Sequence, residues 1–101
     1  YRHVLALDPG SWRAELGLAS ALAAAGQTVL AIERYEAVLH NQPENVVART
    51  NLGILLVGVG RTAEGVSQLE TAVRLEPDNE AIRRNLELAR QRLRAQVGES
   101  D

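Results

Sequence analysis

The chain has 101 residues, 46% hydrophobic and 24% charged, with a formal net charge of −2, ordinary values for at most one folded domain. That mild acidity argues against a binder of nucleic acid or anionic membrane, either of which calls for a basic face. With no Cys there is no disulfide framework and no thiolate zinc site, and no apolar run reaches the roughly 18 residues of a membrane span. Three aromatic residues and no Phe leave an aliphatic, Ala-rich core, which favours helix. All eleven basic residues are Arg.

Residues 1–11 read as the end of a helix bearing Tyr1, Val4 and Leu5, stopped by Pro9. Ser11 then stands where a side chain can accept from the free N–H groups of a new helix. The stripe of that helix is Ala14, Leu18, Ala21 and Ala25, the i, i+4, i+7, i+11 spacing of one face. Gly26 ends it, since Gly enters the left-handed conformation without a Cβ clash. Thr28 is placed to cap a second helix carrying Ala31, Tyr35, Val38 and Leu39, which stops before Pro43.

The next stretch writes the same pattern again. Asn45 is the cap, Ala48, Leu52, Leu55 and Val59 the stripe, and Gly60 the stop. Thr62 leads into Gly65, Leu69, Ala72 and Val73, ending before Pro77. A third start follows, with Asn79 as cap and Ile82, Leu86, Ala89 and Leu93 as stripe, trailing into a polar "QVGESD". Pro9, Pro43 and Pro77 stand 34 residues apart, as do Leu18, Leu52 and Leu86, and Gly26 and Gly60. One period serving Pro, Gly and apolar positions together marks an internal repeat, which must bury its faces against its neighbours. Ala19 with Ala31, and Gly53 with Gly65, are small pairs that let two helices of a hairpin approach closely.

The last helix departs from the others on one side. Glu87 stands where Ala19 and Gly53 stand, and Arg90 where Leu22 and Leu56 stand. A further hairpin stacked there would bury both charges at several kcal/mol per unpaired ion, so this helix is expected to close the array. The other end is expected to be open, with Tyr1, Val4 and Leu5 uncovered; it reads as a cut through a longer array, and it is a surface through which the chain is able to form a homo-oligomer.

Leu18-Ala19, Leu22, Gly26, Ala31, Tyr35, Val38 and Pro43, followed by Leu52-Gly53, Leu56, Gly60, Gly65, Leu69, Ala72 and Pro77, resemble the tetratricopeptide repeat family. The resemblance implies an all-α solenoid of antiparallel helix pairs, wound as a right-handed superhelix with a C-terminal capping helix. In that frame residues 1–11 are the tail of a partial repeat, 12–45 and 46–79 are full repeats, 80–97 the capping helix and 98–101 a frayed tail. The departures are Glu15 and Arg49, where the family pattern has a bulky aromatic, and Gly65 in place of Ala.

The resemblance also implies that the first helix of each repeat lines a concave groove. The side chains then facing it are Arg13, Leu16, Ser20, Ala23 and Ala24, next Val47, Thr50, Ile54, Val57 and Gly58, and finally Arg84, Leu88, Gln91 and Arg92. Family members that clamp acidic C-terminal peptides of heat-shock chaperones use Lys, Asn and Arg at set places; this chain has Leu16, Ser20, Asn51, Ala81 and Asn85 there, and only Asn51 matches, so no such clamp is expected. Asn51 and Asn85 are given a structural role between helices. The function implied is a non-catalytic scaffold that binds a helical or extended apolar segment of a partner protein within a larger assembly. Self-association of a longer repeat protein and a regulatory module attached to an enzyme domain are the alternatives.

No chemistry-bearing constellation accompanies the repeat. His3 and His40 are not a helical i, i+4 metal pair and read as exposed helix-end residues. Ser20 and Ser67 have no activating base nearby, and Gly58-Val59-Gly60 follows no strand, so it is no phosphate loop. Glu33 and Glu36 are placed on a solvated face, and Glu70 is placed to pair with Arg74 one turn on. Trp12 is read as packing against the preceding segment, with ligand stacking as the alternative. No catalytic residue, metal ligand or cofactor is expected.

Overall fold

The computed structural model describes residues 12–98, and among the described residues every regular element is a helix. In chain order they are α1 (Trp12–Ala24), α2 (Thr28–Asn41), α3 (Val46–Gly58), α4 (Thr62–Leu75) and α5 (Glu80–Gln96). Each packs on the next, so α1–α2 and α3–α4 are hairpins and α5 lies on α4, while α3 also touches α5. Readings of Tyr1, His3, Val4, Leu5, Pro9, Ser11 and the tail after Gly98 lie outside the described residues.

The helix ends show why 34 residues suffice for two helices and two turns. Gly26 and Gly60 adopt φ of 84° and 91°. Behind them Gln27 N–H donates to Leu22 O at 2.8 Å and Gly26 N–H to Ala23 O at 3.1 Å, with the same two distances for Arg61 to Leu56 and Gly60 to Val57. The pair satisfies two carbonyls that a helix end leaves free, and it requires the left-handed residue that Gly supplies. Asn45 and Asn79 cap the next helices, accepting from Ala48 N–H at 3.0 Å and Ile82 N–H at 3.2 Å.

Thr28 and Thr62 do not cap. They are the first residues of α2 and α4, behind Gln27 and Arg61, whose side chains make no capping bond. The glycine turn holds Gln27 and Arg61 at the cap position, so each Thr falls inside the first turn. Thr62 is buried there with its Oγ1 unpartnered.

Two apolar clusters hold the stack. The first joins Ala19, Ala31, Ile32, Tyr35, Val38, Ala48, Leu52 and Leu56; the second joins Val66, Leu69, Leu86 and Ala89. Full burial of an aliphatic side chain stabilises by about 1.5–3 kcal/mol, so most of the cohesion sits here. Ala48 and Leu52 join α2 residues in one cluster, and Leu86 and Ala89 join α4 residues in the other. In α1 the same stripe is not buried as expected: Ala14 and Leu18 are half-buried, and Ala21 and Ala25 are exposed. Val59, also expected in a stripe, is exposed in the turn that ends α3.

The small pairs lie at the hairpin crossings. Ala19 and Ala31 are fully buried. In the second hairpin a Cβ built on Gly65 would stand 2.6 Å from Gly53 O and 2.6 Å from Val57 Cγ2, and one on Gly53 would stand 2.8 Å from Leu69 Cγ. There α3 and α4 meet through bare backbone. Where the family pattern has an aromatic, a polar bridge spans each hairpin instead. Glu15 Oε1 lies 3.8 Å from Arg34 Nη1, and Arg49 donates to Gln68 Oε1 at 2.8 Å and, through Nε, to Pro43 O at 3.1 Å.

Glu87 and Arg90 are exposed on the flank of α5. Glu70 does not pair with Arg74: Arg90 Nη2 reaches across from α5 to Glu70 Oε2 at 3.2 Å, and Arg74 donates to Thr71 Oγ1 at 3.0 Å. Docking of α5 brings a guanidinium to Glu70, while a nearer hydroxyl takes Arg74.

Candidate functional site

The first helices of the hairpins, α1 and α3, and the later helix α5 leave two hollows between them. One, of about 320 Å³, lies between α3 and α5. Ile54, Val57 and Gly58 form one wall, Leu88, Ala89 and Arg92 the other, with Leu69 and Asn85 completing the lining. The second, about 190 Å³, is lined by Ser20 and Ala23 of α1, Tyr35 of α2, and Asn51, Ile54 and Leu55 of α3. Ile54 borders both, so they form one furrow across three helices.

Ile54 is 44% exposed and Leu88 57%, although both stand beside buried neighbours. Gly58 has no heavy atom within 4 Å of a would-be Cβ, so the space above it is open. The furrow therefore offers apolar area and close backbone approach to an incoming chain.

The groove residues anticipated from sequence distribute unevenly. Ser20, Ala23, Ile54, Val57, Gly58, Leu88 and Arg92 come together in the two hollows. Leu16 instead packs against the first core cluster. The Arg13 guanidinium lies 5.1 Å from the centre of the Trp12 ring, a cation–π contact that occupies its charge. Trp12 is half-buried against the first cluster. Thr50 is half-buried, with its Oγ1 shut away and unpartnered. Ala24 and Val47 are exposed but border neither hollow. Gln91 donates to Glu87 Oε2 at 3.5 Å, and Arg84 borders a separate depression with Val73, Leu86 and Arg90.

Leu69, Ala89, Asn85, Tyr35, Asn51 and Leu55 were not anticipated as lining. Leu69, Ala89 and Asn85 border the gap between α3 and α5, and Tyr35, Asn51 and Leu55 border the hollow between α1 and α3. Asn51 donates Nδ2–H to Tyr35 Oη at 3.2 Å, tying α3 to α2 as the structural reading required. Asn85 holds the same place one period later but faces Leu69, which has no hydroxyl, and its amide makes no hydrogen bond among the described residues.

Among the described residues no group of three or more His, Asp or Glu is arranged to hold a metal, and no helix is long and apolar enough to cross a membrane. His40 is exposed in the last turn of α2. Among the described residues the shifts in acidity belong to one pair: Glu64 is held below the ordinary carboxylate range, and Arg61 above its own, by a bidentate bond from Arg61, Nε to Oε1 at 2.6 Å and Nη2 to Oε2 at 3.0 Å. That pair is on the surface, away from the furrow.

Helix starts at Trp12, Val46 and Glu80, and again at Thr28 and Thr62, recur with the sequence period, which defines an all-α helical repeat protein. More particularly, the chain belongs to the tetratricopeptide repeat family, whose model matches residues 22–96. Such repeats are typically non-catalytic modules for protein–protein interaction, and the match points this chain to that work. No curated protein matches the chain.

Proposed function

We propose that the chain is a scaffold that receives a helical or extended apolar segment of a partner protein along the furrow of α1, α3 and α5. The observation that carries this is the exposure of Ile54 and Leu88 on facing walls of an apolar hollow. A folded chain leaves such facing side chains in water at a cost that docking would remove. Gly58 and Ala23 allow the partner's backbone close to the helices. Glu87 and Arg90 on the far flank of α5 favour that helix as the end of the stack, because another hairpin there would desolvate both.

Ile54→Arg tests the proposal, since Ile54 borders both hollows and its exposure lets the helix tolerate Arg. Loss of partner binding with unchanged helicity and unchanged oligomer size supports the groove. Self-association of a longer repeat protein is the second reading. An altered oligomer with intact partner binding would favour that second reading.

A further inference from the structure

The furrow is one-sided in charge although the whole chain is slightly acidic. None of the side chains lining its two hollows is Asp or Glu, and the only ionised one is Arg92. Four arginines elsewhere are matched by acids, Arg34 by Glu15, Arg61 by Glu64, Arg90 by Glu70 and Arg94 by Glu87, while Arg13, Arg49 and Arg74 contact Trp12, Gln68 and Thr71. Arg92 makes no ion pair or hydrogen bond among the described residues, and neither does Arg84, two turns earlier on the same helix. The unmatched guanidinium thus stands at the rim of an apolar hollow, one helical turn after the exposed Leu88.

Taking the groove reading as its basis, we infer that the partner segment carries a large aliphatic or aromatic side chain seated between Ile54, Val57 and Leu88, with an Asp or Glu about one helical turn away that pairs with Arg92. A guanidinium is shaped to take a carboxylate through two parallel N–H···O bonds, and apolar walls alongside reduce competition from water. A basic segment meets the opposite situation, a like charge with no acid in the furrow to offset it. The hollow supplies contact area, and Arg92 selects the sign and register of what fills it.

The test is selection of short random peptides on the 101-residue chain, followed by binding measurements on the chain and on its Arg92→Glu, Arg92→Gln and Ile54→Arg variants. The selected peptides should place Asp or Glu near a large apolar residue. Their affinity should fall about tenfold or more in Arg92→Glu, the scale of a charged hydrogen bond, and less in Arg92→Gln. Replacing the peptide's acid by Lys should recover binding to Arg92→Glu. Arg92 is exposed, and an unchanged helical circular dichroism spectrum would show that its variants fold. Peptides that need Ile54 but carry no acidic excess, or that bind Arg92→Glu undiminished, overturn the inference and leave the groove standing. Peptides indifferent to Ile54→Arg, or a groove occupied by a second copy and freed when Ile54→Arg breaks the dimer, overturn it together with the partner reading.

Discussion

The hairpins α1–α2 and α3–α4 occupy equivalent places in the repeat but solve the same contact differently. In the first, two methyl groups, Ala19 and Ala31, are sealed at the crossing. In the second no methyl fits, because Gly53 O and Val57 stand where the Cβ of residue 65 would be. The difference continues toward the furrow. Tyr35 fills the first hairpin and accepts a hydrogen bond from Asn51, whereas Leu69 is shorter and leaves Asn85 unpaired beside the larger hollow. Smaller residues draw α3 and α4 together at their crossing, while the space in front of Leu69 stays open. A repeat can therefore keep its period and fold and still vary in tightness from unit to unit, and the roomier furrow here accompanies the tighter crossing.

The largest effect should come from forcing the second crossing to accept a side chain. Gly65→Leu must push backbone away from backbone, and we expect about 3 kcal/mol lost in urea unfolding. Gly65→Ala should also lose stability, because the ~1 kcal/mol of helix propensity gained is outweighed by the carbonyl clash. A stabilised Gly65→Ala chain would mean that the two crossings are equally spaced. Next, Tyr35→Phe makes the first repeat resemble the second by removing the acceptor for Asn51. It should cost about 1 kcal/mol, since one hydrogen bond is lost and a half-buried amide is left to the furrow.

A smaller contrast separates first helices from second helices. Asn79→Ala should cost about 1 kcal/mol by freeing the α5 first turn, while Gln27→Ala, which removes no capping bond, should leave the melting temperature unchanged. The smallest effect concerns Glu64. Its carboxyl sits below its ordinary range in the folded chain, so Arg61 stabilises the fold only where Glu64 is ionised. That contribution is present above the unfolded carboxylate range and disappears as pH falls through the folded value. The melting temperatures of the chain and of Glu64→Gln should therefore differ slightly near neutrality and converge in acid.

Much of the fold is legible in the residues themselves. The period of Pro, Gly and Leu, the Gly stops and the Asn caps depend on local backbone chemistry, and each acts within a few residues of itself. Thr28 and Thr62 fit the same local logic but lost to the glycine turn, which claims the position before them. Glu70 shows the same limit: its neighbour along the helix was visible, whereas Arg90, twenty residues away, had to be delivered by packing. Of the groove residues, those on the later turns of α1, the inner edge of α3 and the later turns of α5 converged. Arg13, Leu16 and Thr50 were taken up by Trp12, by the core and by burial.

The sequence alone determined the repeat, the Gly stops and Asn caps, and the small-residue crossings, because these follow from steric and hydrogen-bonding demands with a short reach along the chain. Tertiary structure decided which edges stay open: that Leu69 and Asn85 border a hollow, that Ala21 of α1 and Ala25 in the turn after it stand exposed, and that Arg92 has no acid facing it among the described residues. Those outcomes depend on distances between helices remote in sequence, which the packed side chains set together.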